Sequence, residues 1–132
     1  MHAFCTYCSA NKSRDSGEIP AIRRYRSPRL DKVYNAALQL GVGFFILSGE
    51  FGLIPPERTI PWYDHLLTAS EVPSLAEYLI EQIEQFGITR LVYFTRPLTV
   101  EPAVVPYHDA LAIACTRVEL PFLAVELGEL GG

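Results

Sequence analysis

Ile46-Leu47-Ser48-Gly49-Glu50-Phe51-Gly52-Leu53-Ile54-Pro55-Pro56-Glu57-Arg58-Thr59-Ile60-Pro61-Trp62-Tyr63-Asp64 is the stretch on which the reading of this chain turns. An apolar run, Val42 to Leu47, stops at Ser48-Gly49. The seventeen residues from Ser48 to Asp64 then hold two glycines, three prolines and a set of polar and aromatic side chains. That pattern is a strand end followed by a shaped loop. Gly49 and Gly52 permit close approach or a left-handed backbone, whereas Pro55, Pro56 and Pro61 fix φ and limit the loop's freedom. A stiff loop at a strand end is a place where ligand groups are positioned.

Upstream of it, His2 to Tyr7 reads as a first strand, with Ser9-Ala10-Asn11-Lys12-Ser13 as the loop at its carboxyl end, extended on to Pro20. Ser27-Pro28 supplies an N-cap and a proline at the first helical position, so a helix is predicted from Pro28 to about Leu40, capped by Gly41. Leu30, Val33, Tyr34, Ala37 and Leu38 give it one apolar face. Val42 to Leu47 is the second strand, apolar nearly throughout, as a parallel strand covered on both faces should be. Downstream, His65 to Ser70 reads as a turn of helix, Ser74 to Phe86 as a helix ended by Gly87, and Ile88 to Thr95 as the third strand. Arg96 to Pro106 reads as a loop, Tyr107 to Cys115 as a third helix, and Thr116 to Leu120 as a fourth strand. From Phe122 onward strand and helix are not separable by pattern, and Gly131-Gly132 is expected to fray.

This alternation predicts a single α/β domain over residues 1–132, a three-layer αβα sandwich with a mainly parallel central sheet of about four strands. In such sheets ligands bind outside the carboxyl ends of the strands. Those ends carry Cys8 to Lys12, Ser48 to Gly52, and Thr95 to Pro97.

Composition narrows the class. No run of eighteen apolar residues occurs, and Met1-His2-Ala3-Phe4 lacks the basic start of a signal peptide, so a cytoplasmic protein with no membrane partner is expected. Three cysteines, two of them in Cys5-x-x-Cys8, fit a reducing compartment better than a disulfide scaffold. The net charge is -4, yet Lys12 to Lys32 holds seven basic residues against three acidic ones. Such a cluster suits phosphate, while the acidic remainder argues against a broad duplex-coating face.

Cys-Ser-x-x-Lys after strand one, Ile-Leu-Ser-Gly-x-Phe-Gly-Leu-x-x-Pro after strand two and Ile-Pro-x-Tyr-Asp beyond it resemble a small bacterial family of uncharacterised domains. That family is marked by a Leu-Ser-Gly/Ala-x-Tyr/Phe-Gly-Leu loop. A similar Leu-Ser-Gly-x-Tyr-Gly loop marks the peroxide-stress protein family, and the wider group includes uracil-DNA-glycosylase-like α/β domains. The resemblance runs from about Phe4 to Leu127. It points to Ser9, Lys12, Tyr25, Ser48, Gly49, Phe51, Gly52, Tyr63 and Asp64 as site residues, and it implies a stress-response setting. Phe51 stands where the peroxide-stress relatives usually have Tyr, and this chain is much shorter than theirs.

Taken as chemistry, Lys12 with Arg23, Arg24, Arg26 and Arg29 reads as a phosphate-binding group beside the amino end of the first helix. Asp64 is the candidate general acid or base, with Glu50 as a second carboxylate, and Trp62 and Tyr63 offer rings to stack a flat base. Structural roles for the same residues are a helix cap for Asp64 and simple packing for Trp62 and Tyr63. Ser48 lacks a Gly-x-Ser-x-Gly setting and reads as a hydrogen-bonding hydroxyl; only His65 and His108 stand as bases for it. No Walker-type motif occurs, no cofactor is called for, and Cys5-x-x-Cys8 lacks partners at metal-binding spacing. The leading expectation is a domain that recognises a nucleotide or nucleobase and acts at an N-glycosidic bond. The alternatives are a non-catalytic module for single-stranded or damaged DNA, and a structural or protein-interaction domain, with a homo-oligomer open in each case.

Overall fold

A computed structural model describes residues 1–128. The expected fraying of Gly131-Gly132 lies outside these residues. The chain forms β1 (His2–Tyr7), β2 (Ile19–Pro20), α1 (Ala21–Arg24), α2 (Pro28–Leu40), β3 (Gly43–Ser48), β4 (Gly52–Ile54), β5 (Thr59–Ile60), α3 (Val72–Phe86), β6 (Arg90–Thr95), α4 (Val105–Arg117) and β7 (Phe122–Glu126). The main sheet has five strands in the order β4-β3-β1-β6-β7; β2 and β5 pair separately. β1 runs parallel to both β3 and β6, and β6 to β7. The α/β class and the mainly parallel sheet are as expected; the strand count is one higher.

β3 shows why the core sits here. Phe44, Phe45, Ile46, Leu47 and Ser48 are buried in succession, and successive strand residues point to opposite faces, so both faces are covered. Phe44 meets Tyr34 of α2, while Phe45 meets Phe86 of α3. α2 begins and ends as its sequence dictates. The Ser27 hydroxyl accepts the Leu30 N–H at 3.3 Å, and Gly41 closes the helix in the left-handed region at φ 69°.

Besides shifts of two residues at the starts of α3, β6 and α4, three larger differences from expectation occur. Thr116 to Leu120 is not a strand: α4 continues to Arg117, and Leu120 N–H caps it by donating to Cys115 O at 2.9 Å. The helix ends through Glu119 at φ 54°, so no glycine marks its end in the sequence, and the strand falls at Phe122–Glu126 instead. Gly52–Ile54 is an antiparallel edge strand rather than loop, because Ser48 to Gly52 turns tightly enough to fold it back on β3. α3 then covers that edge. Gln82 donates to Phe51 O and Leu53 O and accepts Leu53 N–H at 2.7 Å, so the helix satisfies main-chain groups that a sheet edge leaves open. Finally, His65 to Thr68 is extended, and helical structure starts only with a 3-10 turn at Ala69–Glu71. A capping box fixes that start, with Thr68 and Glu71 binding each other's main chain.

From β1 the chain crosses through α2 to β3 on one side, and from β6 through α4 to β7 on the other. The connections that leave the carboxyl ends of β1 and β6 therefore run apart, which leaves a crevice outside those ends at the switch point of the sheet. No described helix is long and apolar enough to cross a membrane.

Candidate functional site

That crevice holds a cavity of about 490 Å³. Tyr7, Cys8 and the loop Ser9 to Lys12 form its floor and near wall, joined by Arg26 and Pro28 at the start of α2. Asp64, His65 and Leu66 form the second wall, and Glu101 to Tyr107 close the third. Of the residues singled out in the sequence, Cys8, Ser9, Lys12, Arg26, Asp64 and His65 meet at this cavity.

The remaining arginines are distributed differently. Arg24 and Arg29 are both 0% exposed. Arg24 donates to the carbonyls of Ser13 (2.8 Å), Asp15 (3.0 Å), Gly17 (2.6 Å) and Ile60 (3.1 Å), which folds the loop before α1 around its guanidinium. Arg29 donates to Thr6 Oγ1 (2.5 Å), Tyr7 O (2.7 Å) and Cys8 O (3.2 Å), and stacks 3.6 Å from the centre of the Tyr7 ring. It thereby closes the end of β1. Burial draws its pKa down, opposed by Tyr7 and Tyr93 beside it. Arg23 is exposed and stands outside the cavity lining.

Lys12 is placed by main chain and by rings. It bridges antiparallel to Tyr25, and its ammonium lies 4.8 Å from the centre of the Tyr63 ring and 5.9 Å from that of Tyr25. Cation–π attraction holds the charge at the cavity edge. Beneath it runs a hydroxyl chain with a defined direction. Ser48 Oγ accepts the N–H groups of Glu50 (3.0 Å) and Phe51 (3.1 Å), so its own hydrogen goes to Tyr63, 2.8 Å away. Tyr63 in turn donates to the Tyr25 hydroxyl. Burial raises the pKa of both tyrosines, which keeps them protonated as donors rather than bases.

Gly49, Phe51 and Gly52 serve the same scaffold. A Cβ on Gly49 would lie 3.1 Å from Leu67 Cβ, so the glycine lets the second wall close over the turn. Gly52, at φ 68°, would drive a Cβ to 2.3 Å from Gln82 Oε1. Phe51 packs edge-on against Tyr63, with ring centres 5.2 Å apart. Trp62 is 42% exposed outside the cavity lining, with the Arg14 guanidinium 4.5 Å from its ring centre.

Glu50 also stands off the lining, because its carboxylate is engaged with His65 at 2.7 Å. His65 contacts Glu71 at 2.7 Å through its other ring nitrogen. In the sequence His65 stands only as a base for Ser48; here each ring nitrogen meets a carboxylate, and the Glu50 hydrogen bond, with that of Glu71, raises its pKa above the ordinary imidazole value. Tyr107 was read only as the start of a helix. Its hydroxyl accepts Leu67 N–H at 3.1 Å and lies 4.0 Å from the Cys8 thiol. Cys8 is pushed up by burial, a rise that Tyr63, Tyr107, Lys12 and the Gly49 N–H oppose. Cys5, Cys8 and Cys115 are all free, and burial raises Cys115 to about 12.

The site thus presents cations on one wall, Lys12 and Arg26, and carboxylates on the others, Asp64 and Glu101, the latter paired with Arg96 at 2.9 Å. Comparison of the chain with protein-family models, with curated proteins and with solved structures finds no match in any of the three.

Proposed function

We propose that this domain binds a nucleotide in the crevice between β1 and β6 and acts at its N-glycosidic bond. One observation carries the reading: a cavity of about 490 Å³ at the switch point of the sheet whose lining holds Lys12, Arg26 and Asp64. Such a volume lies in the range that encloses small organic ligands. Phosphate goes to Lys12 and Arg26, near the positive end of α2; the base lies against Val104 and Tyr107. Asp64 activates water or stabilises the cationic sugar as the bond to the base breaks. The resemblance of the Ser48-Gly49 loop to that of the peroxide-stress family, whose wider group includes uracil-DNA-glycosylase-like domains, supports this reading, and a three-layer arrangement of helices about the sheet is part of it.

The test is calorimetric titration with nucleoside 5′-monophosphates, followed by chromatography for released base. Binding with turnover that Asp64→Asn abolishes, while leaving affinity, supports the reading. Turnover unchanged in Asp64→Asn removes that residue from the mechanism, and absence of binding removes the ligand class.

A second reading has its own observation. Arg14 stacked on half-exposed Trp62 forms a platform beside Lys12 that suits a base of single-stranded DNA. It predicts oligonucleotide affinity that falls steeply with salt and no mononucleotide binding.

A further inference from the structure

Residues 61–68, of which Asp64, His65 and Leu66 line the cavity, carry the second wall without a strand or helix of their own; Ile60 ends β5 and the next helical turn starts at Ala69. Their side chains alternate. Tyr63, His65 and Leu67 turn inward, while Trp62, Asp64 and Leu66 are exposed. Attachments of the inward set hold the wall: Tyr63 to the hydroxyl chain, Leu67 N–H to the Tyr107 hydroxyl, and His65 between them.

The His65 attachment depends on a proton. Nδ1 is 2.7 Å from Glu50 Oε1, and Nε2 is 2.7 Å from Glu71 Oε2. Ionised carboxylates only accept, so both contacts are hydrogen bonds only when both ring nitrogens carry hydrogen. A neutral ring turns a lone pair toward one of the carboxylates and releases it. Glu50 belongs to the turn between β3 and β4 and Glu71 to the turn that opens α3, so the imidazolium ties the wall to two elements at once.

We propose that His65 is a positioning residue, a proton-dependent latch that fixes where Asp64 and Leu66 stand, so that ligand binding in the crevice needs the protonated ring. The proposal rests on reading that crevice as the ligand site, though the latch itself can be tested without a ligand. The groups facing it are Glu50, Glu71 and, from α4, the Tyr107 hydroxyl acting through Leu67; Asp64 precedes it in the chain. Burial keeps Tyr107 protonated, and Glu71 is also held by Thr68 N–H and hydroxyl, both at 2.9 Å.

The sign follows from these contacts. The Glu50 hydrogen bond, with that of Glu71, raises the His65 pKa above 6.5, so the latch weakens as pH rises through the raised value. Thr68, and then His65, lower the Glu71 pKa, so the latch also weakens as pH falls through that value. Between the two it is closed. Its members are 27%, 44% and 39% exposed in their side chains, so salt loosens it further.

The experiment follows the His65 ring protons by NMR in the full chain, assigned by their loss in His65→Gln, together with exchange of the Leu67 amide. Nucleoside 5′-monophosphate affinity is then measured across the same pH range. The ring titrates above the ordinary imidazole value, and Leu67 protection, corrected for intrinsic exchange, falls as it deprotonates. Affinity falls about tenfold over that interval, as when only a tenth of the molecules keep the wall closed. Glu50→Gln and Glu71→Gln each lower the ring's titration point, and His65→Gln flattens both profiles while the thermal transition persists. A ring that titrates at or below the ordinary value, Leu67 protection indifferent to it, or a wild-type pH profile in His65→Gln overturns the latch. Protection that follows the ring with no nucleotide bound at any pH upholds the latch and overturns the ligand reading.

Discussion

On one side of the crevice the chain from Asn11 to Arg29 is held by buried guanidinium groups; on the other, residues 61–68 hang on hydroxyls and one imidazole. The first wall is bolted to main-chain carbonyls by Arg24 and Arg29, both 0% exposed. The second takes its shape from Tyr63, His65 and Leu67, and its latch is reached by water and salt. A basic cluster that looks like ligand chemistry thus divides into two framework cations, two left at the cavity (Lys12 and Arg26), and Arg23, exposed outside it. The wall that carries the candidate acid or base is the one whose geometry can respond to conditions.

The sharpest way to break the comparison is to remove a bolt. Arg29→Met leaves the carbonyl groups of Tyr7 and Cys8 without these donors, and urea unfolding should show a loss of about 3 kcal/mol or more. Gln82→Leu strips the hydrogen bonds that hold β4 to α3, and with them the turn bearing Glu50; the same measurement should show about 2 kcal/mol. Tyr63→Phe cuts the hydroxyl chain of the second wall at its middle. A loss of about 1 kcal/mol is expected there. Smaller again is the pH effect: because the His65 pKa is raised in the folded state, thermal stability should decline as pH rises through that value, and His65→Gln should abolish the decline. Trp62→Ala should change stability by less than about 0.5 kcal/mol, since its ring is exposed. A large loss there, or none for Arg29→Met, would erase the distinction between the walls.

Much of this was legible in the sequence. Ser27-Pro28 and Gly41 bracket α2, and the apolar run before Ser48 marks a strand covered on both faces, so class and sheet direction follow from local chemistry. The edge strand β4 was not legible, because three residues between a tight turn and two prolines carry no periodicity. Nor was the end of α4, where Glu119 takes a left-handed position usually given to glycine. Among the candidate site residues, Ser9, Lys12, Arg26 and Asp64 lie at the cavity. Arg24 and Arg29 share the type of Arg26, and only burial separates a framework cation from one at a cavity. His65 and Tyr107 were missed in their observed roles, since their partners lie 15 and 40 residues away. The period-two alternation of Tyr63, His65 and Leu67 was the available signal for the extended wall.

The most direct test of the central claim is amide chemical-shift mapping as a nucleoside 5′-monophosphate is added to the protein near neutral pH. Saturable shifts gathered at Cys8 to Lys12, Arg26, Asp64 to Leu66 and Glu101 to Tyr107 are predicted. Shifts confined to Arg14 and Trp62, or no saturable change at all, would contradict a nucleotide site in the crevice.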